Sequence, residues 1–184
     1  MAGGLGPFAI HMLQHILAMN VAAPLIILAL HRRLPTDLWR FWPVATICQI
    51  GLLWGWHAPP VMASAMAHPG LLFAMHGSLF VSALLFWGAL ATMPQDNQWR
   101  SIFALLVTGK LFCLLAVLLA FSPRLLFGHL HAIGGDGAML ADQQLAGLWM
   151  LVACPLTYVL AGIIISWRWL RDLETRYESD GGTA

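Results

Sequence analysis

The chain has 184 residues, of which 60% are hydrophobic and 9% are charged, and its formal net charge is +1. Soluble domains carry about 25% charged residues, so this composition, with a mean hydropathy of +0.77, excludes an ordinary water-soluble fold. The lack of a basic tail and of interleaved basic and aromatic residues argues against a nucleic-acid-binding protein. The composition therefore indicates an all-α protein whose helices cross a lipid bilayer.

Apolar runs close to the length that spans a bilayer, about 20 residues, occur five times in the chain. The joining segments are short, so we expect consecutive helices to lie antiparallel in one bundle. The first ten residues contain no Lys or Arg, unlike a secretory signal peptide, and we expect the first helix to be retained. The predicted helices cover about residues 8–30, 39–57, 71–93, 101–121 and 142–168, with a tail over 169–184.

The distribution of arginines predicts the orientation of this bundle. One side carries seven of them and the other carries Arg124 alone. Because positively charged loops stay in the cytoplasm, the N-terminus is predicted outside and the C-terminal tail inside. The seven are Arg32, Arg33, Arg40, Arg100, Arg168, Arg171 and Arg176.

Seven of the eight histidines fall on the predicted outer side of the membrane. His11 and His15 are four residues apart, so their side chains share one face of the first helix. Met12 flanks this pair and Met19 follows one turn later. The others are His57 and His76, which we expect at a similar depth, and His68, His129 and His131, which we expect to be solvated in loops.

Imidazole and thioether groups together suit copper, and thioethers favour Cu(I). The sequence therefore predicts a copper site formed by His11, His15, His57, His76, Met12 and Met19. The alternatives are histidines that hydrogen-bond between helices and methionines that only pack. The three cysteines, far apart in apolar runs, are interpreted as small packing residues without disulfides; they are Cys48, Cys113 and Cys154.

Two further polar features allow more than one interpretation. Asp142, followed by Gln143 and Gln144, opens the fifth predicted helix. Its carboxylate could orient a ligand histidine from outside the ligand set, or it could cap its own helix. Lys110 lies near the middle of the fourth predicted helix, where a charge marks a function or its long side chain reaches towards the interface.

Five segments in order between about residues 8 and 155 resemble the CtaG-type cytochrome c oxidase assembly factors of bacterial membranes. They are HMLQHILAMNVAAPLIIL, WGWHAPPV, HGSLFVSALLFW, AFSPR and ADQQLAGLWM. The resemblance implies a multi-pass inner-membrane protein that is not an enzyme, assists assembly of a haem–copper oxidase and delivers copper to its subunits. It implies functional roles for His11, His15, His57, His76 and the block Asp142, Gln143 and Gln144.

Two other functions stay open. A small membrane b-type cytochrome would use paired histidines as haem ligands, although histidines one turn apart suit a single small ion better. A structural subunit would bind the oxidase without metal, and the GxxxG spacing of Gly51 and Gly55 permits close helix contact. An enzyme is not expected, because no nucleophile–base spacing stands out and the acids are too few for paired carboxylates.

Overall fold

The structure, a computed structural model, describes residues 5–127 and 136–181, and its regular elements in these ranges are all helices. This confirms the predicted all-α class. A π-helical segment at Ala18–Ala22 joins the first two helices, and short 3₁₀ turns occur at His31–Arg33, Leu38–Phe41 and Gln95–Asn97. The helices are α1 (Pro7–Leu17), α2 (Ala23–Leu30), α3 (Trp42–Trp56), α4 (Pro59–Ala67), α5 (Pro69–Ala91), α6 (Gln98–Phe121) and α7 (Asp136–Gly181).

Four helical stretches in the described ranges are long and apolar enough to cross a membrane: Pro7–Arg33, Pro69–Ala91, Gln95–Phe121 and Gly137–Glu178. They correspond to four of the five predicted spans. The remaining predicted span, residues 39–57, corresponds to α3, whose 15 residues are fewer than a membrane-spanning helix usually has.

Two segments predicted as irregular are helical. The loop expected over residues 57–70 contains α4, because Pro59 and Pro69 each occupy a first helical turn, where the missing N–H of proline has no cost. The tail expected from residue 169 is the continuation of α7. Its sequence, RDLETRYE, consists mostly of helix-forming and charged residues, which continue a helix in water.

Five helical rods surround a common interior. The first is α1 joined to α2 through the π segment, and the others are α3, α5, α6 and α7. α5 packs against α3 on one side and α2 on the other, α7 packs against α1 and along α6, and α6 contacts α3. Large apolar side chains face outwards, with Ile47 69% and Phe73 81% exposed, whereas the polar Gln49 and Thr108 are fully buried. A bilayer favours this distribution, because apolar side chains are stable against lipid and polar side chains are not.

The π segment resolves a conflict that Pro24 creates. The N–H of Ala23 bonds to the carbonyl of Ala18, five residues back, so it does not reach Met19. The next amide that could serve Met19 belongs to Pro24, which has no N–H. The carbonyl of Met19 instead accepts a hydrogen bond of 3.0 Å from the indole Nε1 of Trp87 on α5. The proline is thus accommodated by a π bulge that is tied to a neighbouring helix.

α6 and α7 approach each other closely at Gly147. A Cβ atom at this position would lie 2.5 Å from the backbone nitrogen of Ala120 and 2.8 Å from its Cα. Small residues permit such contacts between membrane helices. The GxxxG pair does not serve this purpose within the described chain, because nothing lies within 4 Å of a Cβ built at Gly51 or Gly55.

We predict that Gly147→Ala destabilises the bundle by about 1–3 kcal/mol, because the added methyl group would force two backbones apart. Gly162→Ala on the same helix is the matched control, because nothing lies within 4 Å of its Cβ position. That control should be neutral or more stable by up to about 1 kcal/mol through helix propensity. Thermal unfolding in detergent, followed by circular dichroism, tests the pair, and equal stability of both variants would contradict the predicted contact.

Candidate metal centre

Three imidazoles meet where α1 begins, which we call the histidine end of the bundle. His11 and His15, each 4% exposed, lie on the inward face of α1, and their Nε2 atoms are 2.8 Å apart. His76 of α5 joins them, and one ring nitrogen from each of the three lies within 4.8 Å of the other two. The ring centroids are 4.3, 5.0 and 4.5 Å apart for the pairs 11–15, 11–76 and 15–76.

The orientation of His76 leaves a lone pair directed to the interior. Its Nδ1 donates to the carbonyl of Leu72 at 2.8 Å. Its Nε2 is buried and has no hydrogen-bond partner. Histidines that bind metals typically anchor one ring nitrogen on a backbone carbonyl in this way and present the other to the ion.

His57 repeats this arrangement from the end of α3. Its Nδ1 donates to the carbonyl of Leu53 at 2.7 Å. In a neutral ring, Nε2 is then unprotonated, and it faces the sulfur of Met12 at 3.3 Å. Neither atom offers a proton to the other, so both present electron pairs to the same space. The ring of His57 lies 6.2 Å from that of His15, centroid to centroid.

The donor spacing fits one small ion. Two nitrogens bound about 2.0 Å from a metal lie roughly 3.3–3.5 Å from each other in trigonal or tetrahedral geometry. The nitrogens of His11, His15 and His76 span separations from 2.8 Å to at most 4.8 Å. Small side-chain adjustments would therefore bring all three into bonding distance.

Asp142 has a role that neither sequence-based interpretation anticipated. Its two carboxylate oxygens accept hydrogen bonds from the backbone amides of Phe8 at 2.9 Å and Ala9 at 3.2 Å. Because α7 begins at Asp136, Asp142 lies in the second turn and does not cap its own helix. It caps α1, whose N-cap residue, Gly6, has no side chain, and it places negative charge at the positive end of that helix. Asp142 therefore positions the helix that carries His11 and His15.

Gln143 and Gln144 hold the segment that follows α6. Gln143 accepts from the amide of Leu126 at 2.8 Å, and its amide nitrogen donates to the carbonyl of Arg124 at 3.3 Å. Gln144 donates weakly, at 3.5 Å, to the carbonyl of Ser122. In the described part of the chain, these glutamines hydrogen-bond to backbone and not to the histidines. The ring of Phe127, in the same segment, packs on Phe8 with 4.9 Å between centroids.

Two cavities meet at His57. An apolar cleft of about 600 Å³ opens between the end of α3 and the end of α6, with Trp54, Leu118 and Phe121 among its walls. A cavity of about 20 Å³ lies on the other side and is lined by Met19, Asn20, Met150 and Cys154 as well as His15 and His57. His57 is thus the side chain that connects the cleft with the interior.

Other predicted positions lie elsewhere. Met19 lies a turn from the three-histidine group, in the small cavity. His68 is exposed between α4 and α5, and His129 and His131 lie outside the described residues. Lys110 faces away from the interior, exposed on α6 beside Leu106 and Leu114. This position favours the interpretation that its side chain extends towards the interface.

The sequence interpretation missed the lining of the small cavity. From the sequence, Cys154 is interpreted as a packing residue, and Met150 and Asn20 have no predicted role. Asn20 is the residue from which the sequence could have indicated this cavity. An uncharged apolar span rarely contains an amide side chain that has neither a function nor a partner on another helix. Its Nδ2 donates to the sulfur of Cys154 at 3.2 Å.

We predict that Asp142→Ala lowers the free energy of unfolding by about 1 kcal/mol, as loss of a helix cap does. Gly6→Ala should also destabilise, because its Cβ would overlap the Asp142 carboxyl group. The double variant should be no less stable than Asp142→Ala alone, because both substitutions act on the same contact between Asp142 and the start of α1. Unfolding in detergent measures the cycle, with exposed Glu174→Ala on α7 as control; additive losses would contradict the shared contact.

Comparison with known proteins agrees with the resemblance seen in the sequence. A family model described as cytochrome c oxidase caa3 assembly factor (Caa3_CtaG) matches residues 4–172, which is most of the chain. No curated protein and no solved structure matches the chain. The matched range includes all of α1 to α6 and most of α7, with every residue of the histidine end described above. The chain therefore belongs to the cytochrome c oxidase caa3 assembly factor family.

Proposed function

We propose that this assembly factor binds copper as cargo at the histidine end and passes it to a cytochrome c oxidase subunit while the oxidase is assembled. The observation that carries the proposal is the convergence of ring nitrogens from His11, His15 and His76, with His57 and Met12 beside them. Membership of an assembly-factor family supports a non-catalytic role and association with the oxidase.

The proposed placement has five crossings, with the histidine end on the periplasmic side of a bacterial inner membrane. α3 and the preceding 3₁₀ turn at Leu38–Phe41 together extend about 30 Å, which matches the hydrocarbon core. Arg176 of α7 forms a salt bridge with Asp96 in the link between α5 and α6. The end of α7 and the start of α6, which carries Arg100, therefore lie together at the end of the bundle away from the histidines. The positive-inside rule then supports an outer N-terminus.

The donor set suits a monovalent copper ion that must be released again. Neutral imidazoles bind copper, and the thioether of Met12 favours Cu(I) over harder ions. Because these ligands carry no charge, the bound ion keeps its positive charge in a buried place. The cleft beside His57 supplies a route by which an incoming donor group can reach the site. Both properties favour exchange over permanent retention.

The geometry argues against the haem alternative. Two histidines that ligate one haem iron stand on opposite faces of the macrocycle, so their rings cannot touch. Here the centroids of His11, His15 and His76 are 4.3–5.0 Å apart. The metal-free scaffold is the second candidate, and the open space beside Gly51 and Gly55 on the exposed face of α3 supports it.

We predict that purified wild-type protein in mild detergent binds Cu(I) and that His11→Asn/His15→Asn weakens this binding by at least about tenfold per lost ligand. His31→Asn and His68→Asn are matched controls, because both side chains are exposed and distant from the cluster. Anaerobic competition with a Cu(I) chelator measures the affinity. Equal affinity of wild type and double variant would exclude the histidine cluster as the site.

We predict that cells producing His15→Asn contain oxidase with reduced copper content, while the variant stays inserted in the membrane. The reason is that removal of His15 takes one nitrogen from the cluster and leaves the caps and helix contacts unchanged. The measurement is copper per oxidase in purified enzyme from cells with no other copy of the gene. Normal copper content together with impaired assembly of subunits would favour the scaffold function.

A further inference from the structure

A second group of ligand-forming side chains surrounds the small cavity next to the histidine cluster. The cavity has a volume of about 20 Å³, which is room for one water molecule or one small ion. We propose that it is a second, sulfur-rich binding site for Cu(I), adjacent to the histidine cluster and formed by Met19, Met150 and Cys154. The proposal depends on the proposed function only for the identity of the ion.

The three sulfur-bearing side chains come from two helical rods. Met19 lies in the π segment, and Met150 and Cys154 are one turn apart on α7, so that both project from one helix face. Each is 3% exposed. Thioether and thiolate ligands select Cu(I), whereas most divalent ions prefer nitrogen and oxygen. Buried methionines usually only fill space, but these two border unfilled space together with a thiol.

Asn20 supplies an independent reason to expect a ligand. Its side chain is 4% exposed, and its Oδ1 is buried without a hydrogen-bond partner. In a membrane interior an unpartnered amide oxygen is unfavourable, so a group in the adjoining cavity would lower its energy. Its Nδ2 donates to the sulfur of Cys154 at 3.2 Å. An N–H donor to sulfur stabilises the thiolate, which is the form that binds metal.

The charge balance differs from that of the histidine cluster. When a Cu–S bond forms, the thiol of Cys154 releases its proton, so one positive charge enters the cavity as another leaves. The proton leaves to solvent by way of the cleft, which meets this cavity at His57. The buried charge is therefore constant at the sulfur site, whereas the histidine cluster gains a positive charge on binding. This makes the sulfur site the more favourable of the two inside a bilayer.

The test uses the full chain in detergent, loaded anaerobically with Cu(I) alone. Metal content gives the stoichiometry, and X-ray absorption separates metal–sulfur bonds of about 2.3 Å from metal–nitrogen bonds of about 2.0 Å. The sulfur variant is Met19→Leu/Met150→Leu/Cys154→Ser, in which the methionine changes conserve volume. Its control is Met62→Leu/Met75→Leu/Cys48→Ser, since these methionines are equally buried but do not line the cavity.

Wild type and control should bind two ions, and the sulfur variant one. The histidine variant His11→Asn/Met12→Leu/His15→Asn, which also lacks the thioether of the histidine cluster, should retain one ion bound mainly by sulfur. If that histidine variant holds no sulfur-bound copper, the sulfur site is refuted, whether or not the histidine cluster binds. If it does hold sulfur-bound copper while wild type shows no additional nitrogen-bound ion, the proposed function of the cluster fails and the sulfur site stands. The histidine variant keeps the outcome decisive even if the sulfur variant does not fold.

Discussion

The position of the histidine cluster depends on the two hydrogen bonds that Asp142 accepts from the first amides of α1. A helix that begins with Gly-Pro has no side chain of its own to satisfy these amides, and amides shielded from water need a partner. The carboxylate supplies two acceptors at once and fixes both the height and the rotation of α1 against α7. His11 and His15 lie one and two turns further along, so their direction follows from this attachment.

A second attachment acts one turn beyond the histidines. The carbonyl of Met19 has no amide to accept from, and the indole of Trp87 takes the place of that amide. Through this bond α5, which also carries His76, is tied to the rod that carries the other two histidines. The cluster therefore joins two helices that are already held together, which keeps the imidazoles in place when no ion is bound. Such preorganisation lowers the entropic cost of binding.

Local periodicity was sufficient to predict that His11 and His15 share a face, and the alternation of antiparallel spans placed His57 and His76 at the same end. The same reasoning could not find the partner of Asp142, because the bond joins residues 134 positions apart and no local pattern records it. It also pointed to Gly51 and Gly55, whereas the close contact is at Gly147. A glycine spacing shows where backbones can approach, but packing of the whole bundle decides which glycine is used.

The absence of a free carboxylate from the described histidine cluster determines how such a site would behave. The carboxylate of Asp142 is engaged by the backbone of α1, so the donors described in the cluster, the imidazoles and the thioether of Met12, are neutral. An ion held only by neutral donors in a bilayer keeps its full charge, and this desolvation cost opposes tight retention. A partner that offers an anionic ligand through the cleft beside His57 would neutralise that charge. Release to the partner is then favoured by electrostatics alone, which is the property that distinguishes a carrier from a storage site.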